Sequence, residues 1–102
     1  MKTQNPDLRD RVKFPQRPTS TEEILCSPAE PWLLACSLVG KFDRWQCNTF
    51  RKLYNQLGDD EFFREVLDAT RIIFDESRNI IAPAAFLVAQ LKLATGGKEV
   101  YR

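Results

Sequence analysis

The stretch from Ile80 to Ala94 reads IIAPAAFLVAQLKLA, with Gln90 and Lys92 as its only polar residues. Pro83 has no backbone N–H and a fixed φ suited to a first helical turn, so it opens a helix with apolar groups on almost every side. Such a helix cannot rest on a wet surface. It must be surrounded, by its own chain or by another. Trp32 to Val39, WLLACSLV, has the same character: Ser37 is its sole polar side chain and Gly40 stands where the helix would close. A chain of 102 residues is one domain by size. A domain that small leaves roughly 35 to 40% of its unfolded-chain surface exposed, so two all-round apolar helices are hard to cover internally. A partner or a second copy is the expected cover.

The remaining helices are amphipathic and carry start and stop signals. In TSTEEIL, Ser20 with Glu23, or Thr19 with Glu22, has capping-box spacing and predicts a short helix over 20–26. Asp43 is placed to cap a helix over 44–57 that Gly58 ends. At about 100° per residue, Cys47, Phe50, Leu53, Tyr54 and Leu57 share one side of it, opposite a basic side of Arg44, Arg51 and Lys52. Trp45 sits off the apolar stripe beside Lys52. Asp59 or Asp60 caps the longest helix, to about Glu76, whose broad core face comprises Phe62, Phe63, Val66, Leu67, Ala69, Ile73 and Phe74. Six acids face the other way with only Arg64 and Arg71 among them, and the spacings suggest pairs Asp60–Arg64, Arg64–Asp68 and Arg71–Asp75. Ile72 projects into this acidic face.

The expected fold is therefore all-α, a compact bundle of about five helices at 20–26, 31–40, 44–57, 60–76 and 83–95, the last ending at Thr95-Gly96-Gly97. Its core is predicted from Leu33, Leu34, Leu38, Phe50, Leu53, Tyr54, Phe62, Val66, Ile73, Phe86, Leu87 and Leu91. Residues 1–18 read as a flexible basic, proline-containing arm, 19–97 as the single helical domain and 98–102 as a short tail.

Chemistry is sparse. The chain has no histidine, which excludes Ser-His and Cys-His mechanisms, and its glycines form no phosphate-cradling pattern. Adjacent acids at Asp59, Asp60 and Glu61 suit a helix dipole better than general acid–base work. Cys26, Cys36 and Cys47 lack the number and spacing of a disulfide or zinc framework and read as reduced, mostly buried small residues. Catalytic, cofactor and metal residues are accordingly expected to be none. The net charge of +1 offers no bulk attraction to nucleic acid or anionic membrane. With no signal sequence at the N-terminus and no apolar run long enough to span a bilayer, a cytoplasmic location without membrane contact is expected.

The function these features favour is a non-enzymatic helical protein-interaction module, an adaptor, inhibitor or assembly subunit that self-associates or binds a protein partner. Trp45, Ile72, Glu61, Glu65 and Asp68 are its expected recognition residues. The alternative is a small nucleic-acid-binding accessory protein using the arm (Arg9, Arg11, Lys13, Arg17) and the basic face (Lys41, Arg44, Arg51, Lys52). A helix-turn-helix reading of 44–57 and 60–76 is disfavoured, because the second helix would present Asp59-Asp60-Glu61 to phosphates.

Overall fold

Among the described residues five helices follow one another: α1 (Thr21–Leu25), α2 (Pro31–Val39), α3 (Arg44–Leu57), α4 (Asp60–Glu76) and α5 (Pro83–Glu99). The computed structural model describes residues 15–77 and 79–99, with the side chains of 97–99 excepted. There is no strand among the described residues, so the fold is an all-α bundle.

The caps set the boundaries. The Ser20 hydroxyl accepts from the Glu23 N–H at 3.2 Å, and the Glu23 carboxylate accepts from the Thr19 N–H at 2.7 Å, one residue earlier than in the usual reciprocal box. Asp43 accepts from the Gln46 N–H at 2.8 Å and Asp59 from the Phe62 N–H at 3.0 Å. Gly40 and Gly58 have φ of 73° and 70°, left-handed positions that close α2 and α3 and let each next helix start within a few residues. The expected end of the last helix at Thr95-Gly96-Gly97 is corrected: α5 runs on to Glu99. Gly96 carries no positive φ, and Thr95 is buried with its hydroxyl donating to the Leu91 carbonyl at 2.9 Å, so the packed turn carries the helix through glycine.

The centre of the bundle is α2, which packs against α3, α4 and α5 and buries Pro31, Leu34, Ala35, Cys36, Ser37 and Leu38. Its one polar side chain is satisfied: the Ser37 hydroxyl donates to the Pro15 carbonyl at 2.6 Å. Around it close Ile24, Phe50, Leu53, Leu57, Phe63, Leu67, Leu87 and Leu91. Trp32, Tyr54 and Phe63 form a ring ladder with both centroid spacings at 5.1 Å, edge to face. The Tyr54 hydroxyl donates to Asp60 at 2.9 Å, and its pKa is pushed up by burial and by that hydrogen bond.

Of the predicted core, Leu34, Leu38, Phe50, Leu53, Leu87 and Leu91 are buried, while Leu33, Tyr54, Val66 and Phe86 are half-buried. Phe62 and Ile73 are not core; they are 37% and 38% exposed. The cause is the rotation of α4, which turns Phe63, Leu67, Thr70 and Arg71 inward. Two arginines anchor that rotation. Arg64 donates to the carbonyls of Ile24 at 2.8 Å, Ser27 at 3.1 Å and Ala29 at 3.3 Å, besides its ion pair with Asp60 at 2.9 Å. Arg71, two turns on, donates to the Thr19 carbonyl at 3.3 Å and the Thr21 hydroxyl at 3.5 Å and pairs with Asp68 and Asp75. The Asp60–Arg64 and Arg71–Asp75 pairs occur as expected, whereas the expected Arg64–Asp68 pair does not form: Arg64 is taken up by carbonyls, and Asp68 accepts from Arg71 and from Thr21. Both arginines thus belong to the α1–α4 contact, not to a solvated face.

The last helix is covered on one side only. It buries Leu87, Leu91 and Thr95 and exposes Ala85, Ala89, Lys92 and Leu93, the last by 70%; just ahead of it Ile81 is 96% exposed. The enclosure that an all-round apolar helix demands went to α2; α5 packs against α2, α3 and α4 but keeps an uncovered apolar face. No helix among the described residues is long and apolar enough to cross a membrane.

Candidate functional site

The uncovered side of α5 faces α3 across a groove of about 1010 Å³. Ala84, Ala85, Val88 and Ala89 supply the α5 side; Trp45, Gln46 and Thr49 supply the α3 side; Ile81 lies at one end. Alanines on one helix opposite a tryptophan on the other leave a trough where two large side chains would have interlocked. Along α3, Trp45, Thr49 and Lys52 share a stripe at i, i+4 and i+7, and on α5 Ala85, Ala89 and Lys92 repeat that spacing, so both stripes look into the same space. Trp45 is 71% exposed, a large aromatic held beside apolar surface with little to bury it.

Charge at the groove is of one sign. Lys41, Lys52 and Lys92 line it and no acidic residue does. None of these lysines forms an ion pair among the described residues. The groove therefore combines an apolar trough with three ammonium groups that have no ion-pair partner among the described residues, a surface complementary to an apolar segment edged with carboxylates.

The structure disperses the sequence-predicted residues. Trp45, Lys41 and Lys52 come together in the groove, although Trp45 was expected with the acidic set and the two lysines with the basic one. Glu61, Glu65 and Ile72 lie on the outer side of α4, Ile72 being 40% exposed, and none of them lines the groove. Asp68 is turned away from solvent, its side chain 16% exposed and its oxygens taken by Arg71 and Thr21, so it serves the α1–α4 contact. Among the basic residues, Arg44 and Arg51 are exposed, with Arg51 donating to Asn48 at 3.4 Å; Arg17 is paired with Asp75 at 3.3 Å. Arg9, Arg11 and Lys13 lie outside the described residues. Ile81, Lys92 and the alanine face of α5 were missed as site residues. Their signal was present, alanines four apart beside a lysine on a helix too apolar to be wet, but it was absorbed into the expectation of a core helix.

The cysteines offer geometry without a metal site, since no group of three or more potential ligands converges among the described residues. The sulfurs of Cys36 on α2 and Cys47 on α3 are 3.1 Å apart, both as free thiols, while Cys26 is exposed. Burial, and next the contact with Cys47, push the Cys36 pKa far up, so its thiolate is scarce at neutral pH. Titration of the native protein with a coloured aromatic disulfide is expected to show a fast phase that Cys26→Ser abolishes, and a Cys36 reaction slower by on the order of 100-fold. Equal rates at Cys26 and Cys36 would show that the α2–α3 seam opens freely.

No family model, no curated protein and no solved structure matches the chain.

Proposed function

We propose that the protein works by contact, as a non-enzymatic helical interaction module whose α3–α5 groove takes an acidic amphipathic helical segment. The observation that carries this reading is the groove itself: Trp45 and Ile81 exposed at 71% and 96% around an alanine trough, with Lys41, Lys52 and Lys92 and no acid among its lining residues. Exposed large apolar groups that cluster mark interaction surfaces, and an amphipathic helix lays its apolar face into a hydrophobic groove with aromatic anchors, the lysines here favouring a segment edged with carboxylates.

The test uses a fluorescein-labelled helical peptide with leucines at i, i+4, i+7 and i+11 flanked by glutamates, followed by anisotropy. Saturable binding that weakens at least tenfold on Trp45→Ala with Lys52→Glu, and that a lysine-flanked version of the same peptide does not show, supports the reading. Equal binding of both peptides, or indifference to the substitutions, overturns it. A labelled single-stranded oligonucleotide run beside them addresses the nucleic-acid alternative: binding that competes with the acidic peptide and collapses with salt would assign Lys41, Lys52 and Trp45 to phosphates and a base instead.

A further inference from the structure

The outer side of α4 carries a second unpartnered feature, and it is the chemical complement of the groove. Phe62, Val66, Ala69 and Ile73 stand at i, i+4, i+7 and i+11, the spacing of one seam of a helix-packing stripe. Phe62, Ala69 and Ile73 are exposed and Val66 is half-buried. The stripe is flanked by Glu65 and Glu76 with Glu61 beyond, all three exposed and none in an ion pair among the described residues. The other acids of α4 are used internally: Asp60 by Arg64 and Tyr54, Asp68 and Asp75 by Arg71.

We infer that the segment filling the α3–α5 groove is α4 of a second copy of this chain. The inference rests on the docking reading above and names its partner. Three carboxylates edge the stripe and three lysines edge the groove, none of them in an ion pair among the described residues. Phe62 to Ile73 covers about 16 Å of helix, roughly three turns, and the groove side of α5 from Pro83 to Lys92 about 13 Å, roughly two and a half. No stripe residue lines the groove, so a single copy presents both surfaces at once. The contact is heterologous, stripe to groove, and successive copies add on until the arrangement closes into a ring or grows as a chain.

Static light scattering over a concentration series, with two surface variants, tests this. One variant disables the groove (Trp45→Ala with Lys52→Glu) and the other disables the stripe (Glu65→Lys with Ile73→Ser); all four positions are exposed, and unchanged far-UV circular dichroism confirms that each folds. The unsubstituted protein is expected to rise above the monomer mass with concentration and to fall back as salt screens the lysine–carboxylate pairs. Each variant alone stays monomeric. Mixed in equal amounts they form a one-to-one heterodimer and nothing larger, because each supplies the surface that the other lacks. A wild-type chain that stays monomeric while the acidic peptide binds overturns self-docking and leaves the groove reading standing. Association that survives in both single variants, or a mixture that stays monomeric, places any self-contact elsewhere and overturns the inference.

Discussion

Arg64→Ala is expected to destabilise the fold by about 3 kcal/mol, read as a lower urea midpoint with an unchanged slope. The side chain is 11% exposed and reaches from α4 to three carbonyls, those of Ile24, Ser27 and Ala29. The five-residue α1 cannot satisfy the carbonyls of its own C-terminal end, and the loop that follows it has no helical partner to offer. Arg64 does so with the planar fork that only a guanidinium has. Its ion pair with Asp60 is a small part of the total, because Asp60 is 49% exposed and such pairs are worth at most about 1 kcal/mol. Truncation leaves three acceptors short of a donor beneath α1, and each costs on the order of 1 kcal/mol. Arg64→Lys should recover less than half of the loss, since one ammonium cannot fan out to three oxygens. A loss below about 1 kcal/mol for Arg64→Ala would mean that water replaces the guanidinium without penalty and that α1 is held by Ile24 alone.

This arrangement also explains what could be read from the sequence and what could not. Helix limits were legible because they are written locally: Asp43 and Asp59 accept the N–H bonds expected of them, and Gly40 and Gly58 take the left-handed turn that their positions implied. Rotation about the helix axis was legible only where the apolar sector is narrow. In α3 the sector from Phe50 to Leu57 has one sensible orientation, and the structure adopts it, burying Phe50, Leu53 and Leu57. In α4 apolar residues occupy more than half the circumference, and the deciding partners are backbone carbonyls from a segment about forty residues earlier in the chain, which no periodicity reveals. The hierarchy of the two all-apolar helices was equally hidden. Both asked for the centre, and each packs against three other helices, but only α2 is buried along most of its length, while α5 keeps one face open. The groove is the consequence, so the alanines four apart on α5 read as core packing until that outcome was known.

The adjacent pair Phe62 and Phe63 turns this difference into a measurement. Sequence periodicity puts both on the broad apolar face of α4, and Phe62 rather than Phe63 was expected in the core; instead Phe63 is fully buried against the Tyr54 ring and Phe62 is 37% exposed on the outer stripe. Phe63→Ala removes a ring from the ladder that joins α2, α3 and α4 and leaves a cavity that rigid neighbours cannot fill, so it should cost about 4 kcal/mol. Phe62→Ala forfeits only partial burial at the surface and should cost under about 1 kcal/mol. The two variants are also expected to part in solution behaviour: loss of Phe62 should weaken the self-association proposed for the stripe and leave the melting transition nearly in place, while loss of Phe63 should lower melting. Similar destabilisation from both would mean that α4 is rotated toward the orientation its hydrophobic pattern alone suggests, with Arg64 and Arg71 no longer holding it against α1 and the stripe from Phe62 to Ile73 returned to the core.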